Sequence, residues 1–150
     1  MIAKTAAQLV AEARATVENL DPDQVQAEMA AGALLVDVRD AGERAGGVIP
    51  GAVHASRGML EFHADPASPL HKPELDPNRR VILHCASGGR SALAAMTLRQ
   101  LGYSDVAHLD GGFKAWVAAG KRETVMDRHA GFGSQPEWIA TSNATPSAMR

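Results

Sequence analysis

Short apolar runs that do not alternate in polarity, each followed by a helical stretch, constrain this chain more than any other feature. Ala33-Leu34-Leu35-Val36, Val81-Ile82-Leu83-His84 and Val106-Ala107-His108-Leu109 are such runs. A strand with one wet face alternates apolar and polar residues, so a strand without alternation is covered on both faces. Strands of this kind separated by helices predict an α/β fold with a parallel sheet between two layers of helices.

The punctuation agrees. Leu9, Val10, Ala13, Val17 and Leu20 recur at helical spacing and predict a first helix over residues 5–19. Asp21 caps a second helix, with Pro22 in its first turn, Gln24 at the capping-box position and Gly32 at its end. Ile49-Pro50-Gly51 reads as a turn into a short strand at Ala52-Val53-His54, and Ser56 to Phe62 as a short helix. Pro66, Pro69, Pro73 and Pro77 make residues 64–80 a loop. Helices are expected from Ser91 to Leu101, closed by Gly102, and from Phe113 to Ala119, closed by Gly120. From Lys121 onward the chain turns polar and irregular, and its last ten residues read as disordered.

With 150 residues, 45% of them apolar and 21% charged, the chain suits one globular domain with its own core. Lys plus Arg is 15 against 17 for Asp plus Glu, a balance without the basic excess that nucleic-acid binding draws on. The longest apolar runs fall far below the ~20 residues that span a bilayer. Glu12, Arg14 and Glu18 interrupt the one stretch that could serve as a signal peptide. A soluble, cytoplasmic protein is expected. Cys85 is the single cysteine, which excludes an intrachain disulfide and a multi-cysteine metal site, and the six histidines lack ligand spacing.

Cys85 stands at the carboxyl end of the central strand, where ligands of open α/β sheets bind. Gly88-Gly89 permit backbone angles that curl successive N–H groups toward one centre, and the nest opens onto the start of the next helix. A thiolate on its floor is stabilised. A helix terminus contributes about 0.3–1 kcal/mol to holding an anion, so charge-assisted hydrogen bonds from the loop N–H groups have to carry much of the stabilisation. Arg90 adds a permanent positive charge at the far end of the loop. His84 adjoins Cys85, but neighbouring strand residues point to opposite faces, so it packs under the sheet. Trp116, at helical spacing from Phe113, is a core residue.

Cys85-Ala86-Ser87-Gly88-Gly89-Arg90-Ser91 resembles the active-site loop of the rhodanese family of sulfurtransferases. Leu35-Val36-Asp37-Val38-Arg39 followed by Glu43 is similar to the family's first signature, and Gly47-Val48-Ile49-Pro50-Gly51-Ala52 to its second, although members commonly carry His where Val48 stands. Leu101-Gly102-Tyr103, Val106, Leu109-Asp110-Gly111-Gly112, Trp116 and Gly120 resemble its closing segment. The resemblance implies a three-layer fold with a central, mainly parallel five-stranded sheet. It implies an organisation of N-terminal helical extension (1–20), rhodanese domain (21–121) and irregular tail (122–150).

The chemistry implied is a persulfide cycle. Cys85 takes the outer sulfur of a donor such as thiosulfate, holds it among the N–H groups of residues 86–91, and passes it to cyanide, a thiol or a partner protein. Such double displacement is covalent catalysis with ping-pong kinetics and uses no metal or organic cofactor. Asp37, Arg39 and Glu43 are supporting residues, with Asp37 close enough to the site for a catalytic role as well and Arg39 and Glu43 spaced to pair, and Ser91 caps or completes the loop. Two rivals stand beside this reading. A cysteine phosphatase or arsenate reductase also uses a thiolate and a terminal Arg, but five residues separate the two in the related phosphatases, against four here. A non-enzymatic binding or sulfur-relay module would use the N-terminal helix and a tail with Phe132 and Trp138 as a docking surface.

Overall fold

A computed structural model describes residues 2–126 and 138–140. Thr5 and Gln8 form a reciprocal capping box that starts helix α1 (Ala6–Thr16). At Val17 the backbone turns extended, and the next residues form strand β1 (Glu18–Leu20). The helix expected to reach residue 19 therefore stops three residues early. Its apolar spacing continues only because Val17, extended just before the strand, and Leu20, within it, are buried in the cores on opposite faces of the sheet. Asp21 and Gln24 build the capping box of α2 (Pro22–Ala30) as expected.

Strand β2 (Leu34–Asp37) leads into a one-turn helix α3 (Ala41–Arg44). The turn at Ile49-Pro50-Gly51 closes with Ala52 N–H donating to Ile49 O at 3.1 Å, and β3 (Val53–His54) follows. A 3-10 turn at Arg57–Met59 runs into α4 (Leu60–Ala64), and residues 65–80 carry no regular element. Strand β4 (Val81–His84), helix α5 (Gly89–Gln100), strand β5 (Val106–Leu109) and helix α6 (Gly112–Ala118) complete the layers.

The sheet order is β1-β5-β4-β2-β3, with every pairing parallel. One face of β2 and β4 (Leu34, Val36, Val81, Leu83) packs with Leu60 of α4 and Ala94, Ala95 and Leu98 of α5. The other (Leu35, Ile82) packs with Val25 of α2 and Trp116 of α6, so Trp116 is core as expected. The N-terminal segment read as a helical extension thus supplies an edge strand of the sheet as well as a helix. The tail read as irregular holds strands β6 (Thr124–Met126) and β7 (Trp138–Ala140), paired antiparallel. Thr124 exchanges both backbone hydrogen bonds with Val48, at 2.7 and 2.9 Å, so the tail is stitched to the domain at the position where the sequence departs from the signature it resembles. Phe132 and the last ten residues lie outside the described residues.

Candidate active site

The central strand β4 delivers Cys85 to the carboxyl edge of the sheet, on the face covered by α5. Its Sγ is buried, 1% exposed, and accepts hydrogen bonds from Gly88 N–H at 3.1 Å and Ser91 N–H at 3.4 Å. The curl that aims these donors needs Gly88, whose φ of 110° lies in the left-handed region that side chains disfavour. Gly88 is the N-cap of α5, so the helix begins at Gly89, two residues earlier than expected, and Gly89, Arg90 and Ser91 form its first turn. The sulfur sits where the unpaired N–H groups and the positive end of a twelve-residue helix converge. Among the loop residues, Ser87 is exposed and Ala86 half-buried, and with Cys85 a free thiol the two backbone donors on its Sγ are Gly88 and Ser91.

A second element holds the loop. The first N–H groups of α6 donate to its carbonyls, Phe113 N–H to Cys85 O at 2.8 Å and Lys114 N–H to Ala86 O at 3.0 Å. Gly112 is what lets α6 approach: a Cβ there would stand 2.6 Å from Cys85 O.

The supporting residues divide differently from the pairing expected of them. Arg39 does not reach Glu43. It turns back to Asp37, donating from Nε to Oδ1 at 3.0 Å and from Nη2 to Oδ2 at 2.9 Å, and also to Gly47 O. Arg44 Nε completes the cluster, 3.3 Å from Asp37. Burial pushes the Asp37 carboxyl up, but the Arg39 hydrogen bonds, with His84 nearby, outweigh it and hold the group at about 2. Glu43 instead takes the Arg90 fork in a bidentate pair at 2.7 and 2.9 Å, which holds its carboxyl at about 2. The charge of Arg90 is therefore partly neutralised across the mouth of the loop. Spacing along the chain suggested the Arg39–Glu43 pair because α3 is only one turn long and its register was not visible.

His84 lies under the sheet as expected, buried and stacked on Phe113 with Nδ1 3.1 Å from Cys85 O. Burial lowers its pKa and keeps it neutral. The sequence reading missed His108 and Asn19. Ser91 Oγ lies 3.6 Å from Cys85 Sγ and 2.9 Å from His108 Nδ1, and His108 Nε2 is 2.6 Å from Asn19 Oδ1. The one available signal was a histidine inside an apolar strand, since a buried imidazole needs partners. Asn19 carried none while β1 was read as helix. A cavity of about 190 Å³ lined by Gln26, Met29, Pro50, Trp116 and Arg122 holds no nucleophile, so the site is marked by its chemistry and not by the cavity. Among the described residues no group of three or more His, Cys, Asp or Glu side chains is placed to hold a metal ion, and no helix is long and apolar enough to cross a membrane.

Known proteins resemble this chain in sequence and in fold. The family model described as "Rhodanese-like domain" matches residues 21–119. Thiosulfate sulfurtransferase GlpE of Pseudomonas savastanoi pv. phaseolicola is 39% identical over 109 residues, which cover 73% of this chain and 95% of the relative. The GlpE protein of Ectopseudomonas mendocina is 36% identical over 112 residues, covering 73% and 93%. Among solved structures, a Rhodopseudomonas palustris protein of unknown function, described as a possible tyrosine phosphatase, superposes with a TM-score of 0.75 at 39% identity, covering 81% of this chain and 95% of that one. A thiosulfate sulfurtransferase of Pseudomonas aeruginosa gives a TM-score of 0.64 at 28% identity, covering 90% of this chain and 24% of that one. The family match spans the strands and loops that build the Cys85 site, and the chain belongs to the rhodanese-like domain family.

Proposed function

We infer that Cys85 carries the sulfur in this protein, a rhodanese-type sulfurtransferase that moves a sulfane sulfur from a donor such as thiosulfate to a nucleophilic acceptor. The observation that carries the reading is the pair of backbone N–H groups, from Gly88 and Ser91, converging on Cys85 Sγ. The thiolate attacks the outer sulfur of thiosulfate, the donor's S–S bond breaks, and sulfite leaves with the electron pair. The new terminal sulfur bears the negative charge, and the anion-binding end of α5 favours it. Cyanide, a thiol or a protein nucleophile then attacks that sulfur and Cys85 leaves as thiolate. In each half-reaction one bond to the transferred sulfur forms as another breaks and the leaving group keeps the electron pair, so the cycle balances without a redox partner.

The loop residues Ala86, Ser87, Gly88, Gly89, Arg90 and Ser91 form the cradle. Asp37, Arg39 and Glu43 support it, the first two by fixing the turn after β2 and the third by clamping Arg90. We place the protein in the cytoplasm, where reduced thiols are at hand as acceptors. The phosphatase reading has in its favour the description of the R. palustris neighbour. Against it stands the short loop, with four residues between Cys85 and Arg90. Incubation with thiosulfate plus cyanide, in parallel with an aryl phosphate, separates them. Thiocyanate formation without phosphate release is expected; phosphate release without thiocyanate overturns the assignment.

A further inference from the structure

From Cys85 a line of buried polar atoms, Ser91 Oγ, His108 and Asn19, runs into the fold, and the sulfur-transfer cycle does not use it. Ser91 and His108 are both fully buried. Asn19 and His108 are directly opposite one another in the β1–β5 pairing, which sets their side chains against each other. The Asn19 amide is oriented by its own donors: Nδ2 donates to Arg14 O at 2.9 Å and to Val17 O at 3.2 Å, so Oδ1 faces the ring. That oxygen is an acceptor, so His108 Nε2 carries the hydrogen, and Nδ1 is left with a lone pair directed at the Ser91 hydroxyl. The hydroxyl proton has two acceptors, His108 Nδ1 at 2.9 Å and Gly88 O at 3.2 Å, and its oxygen lies within reach of the Cys85 thiol.

We propose that Ser91, His108 and Asn19 form a proton relay for Cys85, in which His108 takes the thiol proton through the Ser91 hydroxyl. The Cys85 S–H bond breaks as its proton passes to Ser91 Oγ, and the Ser91 O–H bond breaks as its proton passes to His108 Nδ1. Cys85 becomes a thiolate held by Gly88 and Ser91 N–H, and His108 an imidazolium whose Nε2–H stays on Asn19. Reprotonation reverses both transfers, so no other reactant is consumed. Burial lowers the pKa of His108, so the ring rests neutral, and the same burial makes the imidazolium a transient carrier that returns its proton. The charged groups facing it are Arg14 of α1 and Asp110 beyond β5, themselves paired at 2.8 Å, which act on it in opposite directions. His108 is a positioning residue here, because it reaches the sulfur only through Ser91.

The relay rests on Cys85 as the nucleophile, and alkylation by iodoacetamide reads that thiol without any sulfur transfer. Rates are measured from neutral to alkaline pH for wild type, Ser91→Ala, His108→Asn and the double variant. Each single variant is expected to alkylate at least about tenfold more slowly at neutral pH, within the range of general-base effects. The double variant is expected to be no slower than the slower single one, and all four rates converge near pH ~10, where hydroxide removes the proton unaided. If His108→Asn does not fold, Ser91→Ala carries the same expectation in a smaller side chain. Wild-type rates at neutral pH, slowing that persists unchanged at alkaline pH, or effects that multiply in the double variant would overturn the relay. Sulfur loading of wild type from thiosulfate, followed separately, decides the transfer reading whichever way the alkylation falls.

Discussion

The Cys85 sulfur meets two backbone donors and a buried hydroxyl, while Arg90, the loop's only charged side chain, is engaged elsewhere. A backbone N–H is removed only by proline, which also changes the backbone conformation, so the residue-scale test falls on Arg90 and Glu43. Arg90→Lys keeps the charge but cannot make two parallel bonds to a carboxylate, and Glu43→Gln leaves the fork with a neutral partner. Each is expected to lower kcat/KM for thiosulfate by about tenfold, or ~1.4 kcal/mol of transition-state stabilisation. Because both break the same pair, the double variant should be no worse than either alone; steady-state kinetics on the four proteins checks this. The loop itself was legible in the sequence, because its function is carried by backbone and by glycine spacing. Partners chosen by side-chain reach were not. Arg39 and Glu43 stand at helical spacing and yet bind Asp37 and Arg90, and His108 and Asn19 are 89 residues apart.

Two elements with no chemistry of their own set the geometry of the site. Helix α6 donates its first N–H groups to the loop carbonyls, and only a glycine at 112 allows the approach. With φ at 62° and a Cβ that would meet Cys85 O and Ala86 C at 2.6 Å, Gly112→Ala combines backbone strain with overpacking. A loss of at least about 2 kcal/mol in urea unfolding is expected, together with a larger fall in turnover than the stability change explains, since the loop must shift. Strand β6 acts through Val48, which is 2% exposed and bonded by its backbone to Thr124. Val48→His, which restores the common family residue, buries an imidazole at a position shaped for a small aliphatic side chain. It is expected to cost about 1–3 kcal/mol of stability with little change in turnover per folded molecule, measured by thermal melts alongside the assay. Strands β2, β4 and β5 were readable because unbroken apolar runs mark doubly covered strands. Strand β1 was not, because three residues are too short for a period of 2 to show and their apolar spacing continues that of α1.

Across the whole molecule, protonation couples the site to the stability of the fold. His84 and His108 are buried with lowered pKa values, so the unfolded chain binds protons near 6.5 that the native protein refuses. Stability is complete above that value and falls as pH drops through and below it. Asp37 and Glu43, held at about 2, stay charged in the native protein, and their contribution is lost only as pH falls from about 4 towards 2. Urea unfolding at pH ~8 and ~5.5 should therefore differ by about 1–3 kcal/mol in favour of the higher pH, with the histidines responsible. Equal stabilities at the two values would show that the rings are not buried neutral. All of this surrounds one sulfur atom, and intact-mass spectrometry before and after incubation with thiosulfate reads it directly. Wild type is expected to gain the mass of one sulfur and lose it again on adding cyanide, while Cys85→Ser, folded and with the same circular dichroism, gains nothing. A wild-type protein that stays unmodified under thiosulfate, or a Cys85→Ser variant that still takes up sulfur, would contradict the account.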